Sequence, residues 1–137
     1  MASIRDTAAK FFEACETGQG WAGCEQYCQA GATFAAQADA LADVTTLEGY
    51  TDWMKGLFTP VPNGSYEVRG FAVDDDRRAV LAYGVFRGTH TVDGPVPATG
   101  KSVEADYVYV MNFTGDKIGH MTKIWNDVHS LRQLGWA

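Results

Sequence analysis

The sequence predicts an α+β fold in which helices near the start of the chain cover one face of a curved antiparallel sheet. Two observations lead to this class. Apolar residues recur at helical spacing in the first third of the chain, and four later segments have the composition and turn boundaries of strands. Because the helical segments precede most of the strands, the helices are expected to gather on one face of the sheet.

The chain of 137 residues has the length of one domain, so residues 1–137 are assigned to a single domain. Hydrophobic residues make up 46% and charged residues 20%, which is typical of a globular protein. The net charge of -6 argues against nucleic acid and against an anionic membrane surface, because both attract clustered Lys and Arg. Residues 1–6 lack the layout of a signal peptide, so we expect a cytoplasmic protein.

The first helix has signals at both of its ends. Ser3 and Asp6 have the spacing of a capping pair, and Gly18 and Gly20 are typical of a helix stop. The apolar stripe between them consists of Ile4, Ala8, Phe11, Phe12 and Cys15. Together these features predict an amphipathic helix that packs on the core.

A short helix is predicted at 21–28, followed by a brief strand at 32–37. The next helix has a clearer start, because Thr45 and Glu48 have the spacing of a capping box. Pro60 is expected to end it.

Four strands are predicted in the second half of the chain, at 65–73, 79–92, 103–113 and 118–125. Polar turns separate them, and the turn at 114–117 is short enough for a hairpin. The chain ends in a short helix that Asp127 begins and Gly135 ends.

The central strands are largely apolar on both faces. In the 103–113 strand, Tyr107, Tyr109, Met111 and Phe113 share one face, and Val108 and Val110 lie on the other. The helices can cover only one face, so the open face is expected to pair with a second copy in a homodimer. Gly84 and Gly88 would let the sheet bend into a cone that encloses an apolar pocket for a small molecule.

No metal site is expected from the cysteines and histidines. Cys15, Cys24 and Cys28 are predicted to be buried free thiols, because an odd number of cysteines on helices does not indicate a disulfide framework. Cys24 and Cys28 could share a helix face and hold a metal, but no matching Cys or His pair accompanies them. The three histidines are also too scattered for a metal site.

Two polar residues at strand ends are candidates for catalysis. Asp127 follows the last strand, and a partly desolvated carboxylate at the mouth of an apolar cone suits acid–base chemistry. The alternative is that Asp127 only caps the final helix. His90 could move a proton or donate to a substrate carbonyl, and its alternative is a half-exposed residue at a strand end.

Aromatic residues could line the pocket and bind a flat apolar ligand. The set consists of Phe34, Trp53, Phe86, Tyr107, Tyr109 and Trp125. Glu104 and Asp106 share a strand face and could form a carboxylate pair, although a surface or interface position is favoured for them.

Two motifs carry a resemblance to a known family. Gly-Thr-His-Thr at 88–91 with Pro-Ala-Thr-Gly-Lys at 97–101 resembles the GTHTG…PATGK segment of the SnoaL-like polyketide cyclases. Trp-Asn-Asp at 125–127, followed by Leu-Arg-Gln-Leu-Gly-Trp at 131–136, resembles their W-x-D…L-x-QLG ending. These cyclases belong to the nuclear transport factor 2-like, cystatin-like proteins. The resemblance implies a cone-shaped α+β barrel, with a mixed or antiparallel sheet, that dimerises through its open face.

The resemblance also implies a reaction. The cyclases carry out an intramolecular aldol condensation, with an aspartate as general acid and base and a histidine beside it. Those roles fall on Asp127 and His90, with no metal or cofactor. We therefore predict acid–base catalysis, by aldol-type cyclisation or isomerisation, on a small apolar carbonyl compound. A non-catalytic ligand-binding or dimerisation module and an epoxide hydrolase or dehydratase-like enzyme are the alternatives.

Overall fold

The computed structural model describes residues 3–137 as four α-helices and five strands, which confirms the α+β class. In chain order the elements are α1 (Ile4–Glu16), α2 (Gly20–Cys24), β1 (Cys28–Ala36), α3 (Leu47–Leu57), β2 (Ser65–Asp74), β3 (Ala79–Thr89), β4 (Ser102–Thr114), β5 (Lys117–Trp125) and α4 (Asp127–Leu134). Met1 and Ala2, the first two of the residues 1–6 that lack the layout of a signal peptide, lie outside the described residues. No helix in the described range is both long and apolar enough to cross a membrane.

The strands form one mixed sheet in the order β1-β5-β4-β3-β2. Strands β2 to β5 make the predicted antiparallel meander, and β1 runs parallel to β5. Within residues 3–137, β1 and β2 are the two edges, so the sheet is curved but not closed into a barrel. Its pairing is irregular between Val68 and Gly70 and between Asn112 and Phe113, and such bulges increase the local twist.

Three predicted boundaries are wrong, each for a local reason. The second helix ends at Cys24, because the chain there tightens into a 3₁₀ turn at Glu25–Tyr27. Strand β1 begins at Cys28 rather than at residue 32, and it contains Gly31, whose φ is 72°, where the register with β5 shifts. Strand β3 ends at Thr89 rather than at Val92, because the amides of Thr91 and Val92 turn away and donate to the Pro60 carbonyl.

Side-chain caps fix the starts of α1 and α3. The Ser3 hydroxyl accepts a hydrogen bond from the Asp6 amide at 3.1 Å, as the sequence predicts. In α3 the capping residue is Thr46, whose hydroxyl accepts from the Gly49 amide at 3.0 Å. Thr45 cannot cap α3 because it lies before the cap position, and its carbonyl instead accepts from the amide of Phe34 in β1 at 2.9 Å.

The cap of α4 is Asn126, not Asp127. The Asn126 side chain accepts from the His129 amide at 3.2 Å, whereas Asp127 is the first residue of the helix. The Asp127 carboxylate is buried and accepts from the Ala40 amide at 2.9 Å, so it ties α4 to the 3₁₀ turn at Asp39–Leu41. Gly135 ends the helix with φ of 75°, as predicted.

The core lies between the helices and the concave face of the sheet. Tyr107, Tyr109, Met111 and Phe113 of β4 are buried there with Phe11 and Phe12 of α1 and Leu47, Tyr50 and Met54 of α3. The thiols of Cys15, Cys24 and Cys28 are free and buried, as predicted. The helices therefore cover the aromatic face of β4.

The opposite face of the sheet carries an exposed apolar band. The band consists of the exposed Leu81, Tyr83 and Ile124 and the half-buried Val108 and Val110. Val108 pairs with Tyr83 on one side and with Ile124 on the other, so the band crosses β3, β4 and β5 without a break. Ile124 is 59% exposed, which is unusual for a branched apolar side chain in the middle of a sheet.

Gly84→Ala tests the close approach of Tyr107 to β3. Gly84 lies opposite Tyr107, and a Cβ atom on it would stand 2.7 Å from the tyrosine oxygen. We expect a loss of about 1–3 kcal/mol in the free energy of unfolding, measured with urea, because the ring must shift. Gly56→Ala in α3 is the control, since a Cβ there meets no atom within 4 Å and should add up to about 1 kcal/mol. Equal stability of the two variants would contradict the assignment.

Asn126→Ala tests the cap of α4. Loss of the capping oxygen should lower the free energy of unfolding by about 1 kcal/mol, measured with urea. Asp127→Asn is the control, because its amide oxygen can still accept from the Ala40 amide. Unchanged stability of Asn126→Ala would contradict the assignment of Asn126 as the cap.

Candidate functional site

A cavity lies between the concave face of the sheet and helices α1, α3 and α4. It is lined by Glu16, Trp53, Met54, Leu57, Phe86, Val103, Ala105, Tyr107, Lys123, Trp125, Ser130, Leu131, Leu134 and Trp136. The volume open to the centres of water-sized atoms is ≈ 60 Å³, and one water needs about 10–15 Å³ by that measure. All empty space, including the mouth, amounts to ≈ 560 Å³, but the smaller volume governs what fits because the larger one includes open solvent.

Four of the six predicted aromatic residues line this cavity, namely Trp53, Phe86, Tyr107 and Trp125. The other two lie in the layer behind it. Phe34 stacks on Tyr50 with ring centroids 4.4 Å apart, and Tyr109 is fully buried. The lining is apolar except for a few polar groups, and these groups define the chemistry that the cavity can support.

Glu16, the last residue of α1, is the acid of the cavity. Its carboxylate accepts a hydrogen bond of 2.6 Å from the Tyr109 hydroxyl, which lies 2.7 Å from the Tyr50 hydroxyl. Burial raises the pKa of Glu16, and the charge of Lys123 acts in the opposite direction. The net result is a carboxyl group whose pKa is raised above that of an exposed glutamate.

Lys123 of β5 is the base of the cavity. Its side chain is buried, and within residues 3–137 its ammonium group has neither a hydrogen-bond acceptor nor an ion-pair partner within 4.0 Å. The nitrogen lies 4.2 Å from the ring centre of Trp125 and 5.1–5.5 Å from those of Tyr50, Trp53 and Tyr107. Burial lowers the pKa of Lys123 to about 8, although Glu16 acts to raise it.

Tyr107 supplies a further polar group. Its hydroxyl is buried and, within the described range, makes no hydrogen bond. It lies near Glu16 and acts to lower the pKa of that carboxyl without closing a hydrogen bond to it. A buried hydroxyl without a partner is costly, so it is a natural donor to a bound ligand or water.

His90 does not line the cavity but supports its wall. Its Nδ1 atom accepts from the indole N–H of Trp136 at 2.9 Å and from the Thr99 amide at 3.2 Å. Because both partners are donors, Nδ1 is unprotonated and the proton lies on Nε2, which is buried without a partner in the described structure. His90 is fully buried rather than half-exposed, and it acts on the cavity through Trp136.

Asp127 does not line the cavity either. One carboxylate oxygen holds the Ala40 amide, and no hydrogen bond joins Asp127 to His90 within residues 3–137. The structure therefore does not bring the two predicted catalytic residues together, and their roles stay predictions. Each still borders the site: Asp127 lies two residues after Trp125 of the lining, and His90 holds Trp136.

The carboxylates of β4 are exposed and lie away from the cavity. Glu104 accepts from Arg87 at 2.9 Å, and Asp106 accepts from the Tyr83 hydroxyl at 3.1 Å. Both belong to the outer face of the sheet. Within the described residues, no group of three His, Cys, Asp or Glu side chains has the arrangement of a metal site.

The sequence analysis missed Glu16 and Lys123. Lys123 could have been found, because it alternates with Met121 and Trp125 and therefore lies on the inward face of its strand. A lysine at an inward strand position is unusual unless it is paired or functional. Glu16 carries a weaker signal, since it follows the apolar stripe of α1 by one residue and could equally face solvent.

Comparison with known proteins relates the chain to a family. The chain matches the SnoaL-like polyketide cyclase family over residues 6–134. It is similar in structure to IdmH of Streptomyces antibioticus, named as a candidate polyketide cyclase, with 22% identity, a TM-score of 0.79, and 98% of this chain and 99% of IdmH covered. No relative is found among curated protein sequences.

Two further structures share the fold. A candidate SnoaL-like polyketide cyclase from Jannaschia sp. CCS1 has a TM-score of 0.77 at 16% identity, with 98% of this chain and 92% of that one covered. AclR of Streptomyces galilaeus, named as a candidate hydroxylase, has a TM-score of 0.76 at 17% identity, with 98% and 85% covered. The differing names show that the fold alone does not decide the reaction. With a match over nearly its whole length, the chain belongs to the SnoaL-like polyketide cyclase family.

Proposed function

We propose that the cavity performs acid–base catalysis on a small apolar carbonyl compound, by aldol-type cyclisation or isomerisation. The observation that supports this proposal is the presence of a buried acid and a buried base, Glu16 and Lys123, in one apolar cavity. Desolvation moves the pKa of each toward neutrality. Groups that exchange protons near neutral pH are the ones that general acid–base catalysis needs.

The proposed reaction begins at the carbon next to the carbonyl. The Glu16 carboxylate takes a proton from that carbon, and the electron pair of the C–H bond moves toward the carbonyl oxygen to form an enolate. Lys123 and the Tyr107 hydroxyl are the donors for this oxygen, and such donors stabilise the developing charge most effectively where water is excluded. The enolate carbon then attacks a second carbonyl, or it is protonated at another position, which gives cyclisation or isomerisation.

The size of the cavity limits the substrate. A volume of ≈ 60 Å³ holds several water-sized groups but not a polycyclic molecule. The substrate is therefore a small carbonyl compound or the reactive end of a longer one that extends through the mouth. The rings of Trp53, Trp125 and Trp136 provide the apolar contact that such a ligand needs.

The family resemblance supports a second assignment of roles, with Asp127 as the acid and base and His90 beside it. The two assignments make opposite predictions for the two carboxylates. A non-catalytic ligand-binding module with the same cavity is the other alternative, and an epoxide hydrolase or dehydratase-like enzyme is a third. Proton exchange on a simple ketone distinguishes catalysis by Glu16, catalysis by Asp127 and the non-catalytic module.

Glu16→Gln should abolish most of the catalysis. The assay follows exchange of the hydrogens next to the carbonyl of butanone in deuterium oxide by NMR, with the purified protein as catalyst. We expect the variant to lose at least about 100-fold of the protein-dependent rate, because the amide cannot take the proton. Glu13→Gln is the matched control, since Glu13 lies in the same helix with its side chain in solvent.

Asp127→Asn decides between the two carboxylates. If Glu16 is the base, this variant keeps the exchange rate, because Asp127 does not line the cavity. A loss of about 100-fold in Asp127→Asn with normal exchange in Glu16→Gln would instead establish the roles implied by the resemblance. Butanone that binds the unaltered protein without any exchange would favour the non-catalytic module.

We also propose that the protein forms a homodimer through the apolar band of the outer sheet face. The band is exposed in a single copy, and charged pairs such as Arg87 with Glu67 and Glu104 lie beside it. An apolar centre with a polar border is the usual anatomy of a protein interface. A two-fold arrangement would bury the same band from both copies.

Ile124→Lys should convert the dimer into a monomer. The substitution places a charge in the band, and a buried unpaired charge is strongly unfavourable. Sedimentation velocity at micromolar concentration measures the change. Val92→Lys is the control, because Val92 is 45% exposed but lies in the loop after β3. A monomer for the unaltered chain, or dissociation by both variants, would contradict the proposed interface.

A further inference from the structure

We propose that Lys123 is an amine nucleophile that forms a covalent imine with the carbonyl group of the ligand. The inference rests on the proposed function in one respect, that the cavity admits a carbonyl compound. It goes beyond it by assigning covalent catalysis, in which the substrate is activated as an enamine rather than as a free enolate.

The position of Lys123 supports this role. The chain has five lysines. Lys10, Lys55, Lys101 and Lys117 are exposed, and only Lys123 of these five is buried. Its amine faces the cavity, and within residues 3–137 it has no hydrogen-bond acceptor and no carboxylate within 4.0 Å. A lysine held by a structural ion pair is fully occupied by its partner, whereas this amine is free to react.

The surrounding rings favour the product of the reaction. The Lys123 nitrogen is enclosed by Trp125, Tyr50, Trp53 and Tyr107 at 4.2–5.5 Å from their centres. Ring faces stabilise a cation, and the protonated imine carries its positive charge on this same nitrogen. The rings therefore stabilise the iminium ion where it forms, while burial maintains a pool of free amine by lowering the pKa of Lys123 to about 8.

Glu16 completes the chemistry. The free amine attacks the carbonyl carbon, and the C=O π electrons move to the oxygen, which takes a proton from the Glu16 carboxylic acid. The Glu16 carboxylate, now deprotonated, takes a proton from the positively charged nitrogen and passes it to the hydroxyl group. The hydroxyl then leaves as water, and the nitrogen lone pair forms the C=N bond of the protonated imine. The protonated imine then gives up a proton from the neighbouring carbon to the Glu16 carboxylate, which yields the enamine. No oxidant, reductant or further reactant is needed, and later hydrolysis returns the amine.

Reductive trapping of the unaltered protein tests the inference. The protein is incubated with butanal and cyanoborohydride at pH 7, which converts an imine into a stable alkylamine, and peptide mapping by mass spectrometry locates the added butyl group. With its pKa of about 8, about 10% of Lys123 is free amine at pH 7, against about 0.03% of an ordinary lysine. We expect alkylation of Lys123 at pH 7 to be at least about tenfold faster than that of any exposed lysine, because its free-amine fraction is far larger.

The exposed lysines provide an internal control in the same sample. Lys123→Met keeps an unbranched apolar chain and should lose the selective adduct, while the slow labelling of the other lysines continues. Alkylation of Lys123 no faster than that of Lys10 or Lys55 would overturn the inference.

The two proposals fail separately. Exchange of butanone hydrogens without a Lys123 adduct would overturn the imine and leave the acid–base proposal intact. An adduct without exchange would support the imine and overturn the acid–base proposal. Absence of both would overturn both, because the cavity would then not admit a carbonyl compound.

Discussion

The cavity depends on a hydrogen-bonded chain that runs from Tyr50 through Tyr109 to Glu16. Its members come from α3, β4 and α1, so two short contacts of 2.7 and 2.6 Å join two helices to the sheet. All three side chains are buried, and each would cost about 1–3 kcal/mol if it lost its partner. The chain therefore fixes both the packing of the helices and the position of the carboxyl group that faces the cavity.

The same chain determines which groups remain available to a ligand. Tyr109 donates to Glu16, so its hydrogen-bonding capacity is used within the protein. In the described structure the Tyr107 hydroxyl has no hydrogen-bond partner and the Lys123 amine has no carboxylate within 4.0 Å, and both residues line the apolar cavity. Unsatisfied polar groups in a core are normally removed by selection unless they act on something outside the chain. Gly84 shows that the backbone accommodates one of them, because only glycine there leaves room for the Tyr107 ring.

The fold could be predicted from the sequence more fully than the site. Strand composition and turn residues defined β2 to β5, and the apolar face of β4 could be assigned because alternation in a strand is strict. Helix starts could be predicted only to within one residue. Thr45 and Thr46 both have side chains that can cap a helix, and only the hydrogen bond from the Phe34 amide to the Thr45 carbonyl shows that Thr45 is not the cap. Glu16 and Lys123 meet through contacts between α1 and β5, which lie more than 100 residues apart, and no local pattern encodes such a meeting. Asp127 and His90 were chosen from their positions at strand ends and from the family motifs, and neither observation gives the direction of their side chains.

Glu16 and Lys123 act on each other's pKa, and this effect is opposite to the effect of burial. Burial favours the neutral form of both, whereas the charge of each favours the charged form of the other. A ligand that displaces water from the cavity deepens the desolvation, and it shifts both groups further toward their neutral forms. That shift is equivalent to moving a proton from Lys123 to Glu16. For the carbonyl ligand that we propose, the shift gives a free amine and a carboxylic acid. These are the protonation states that attack on the carbonyl carbon and protonation of its oxygen require.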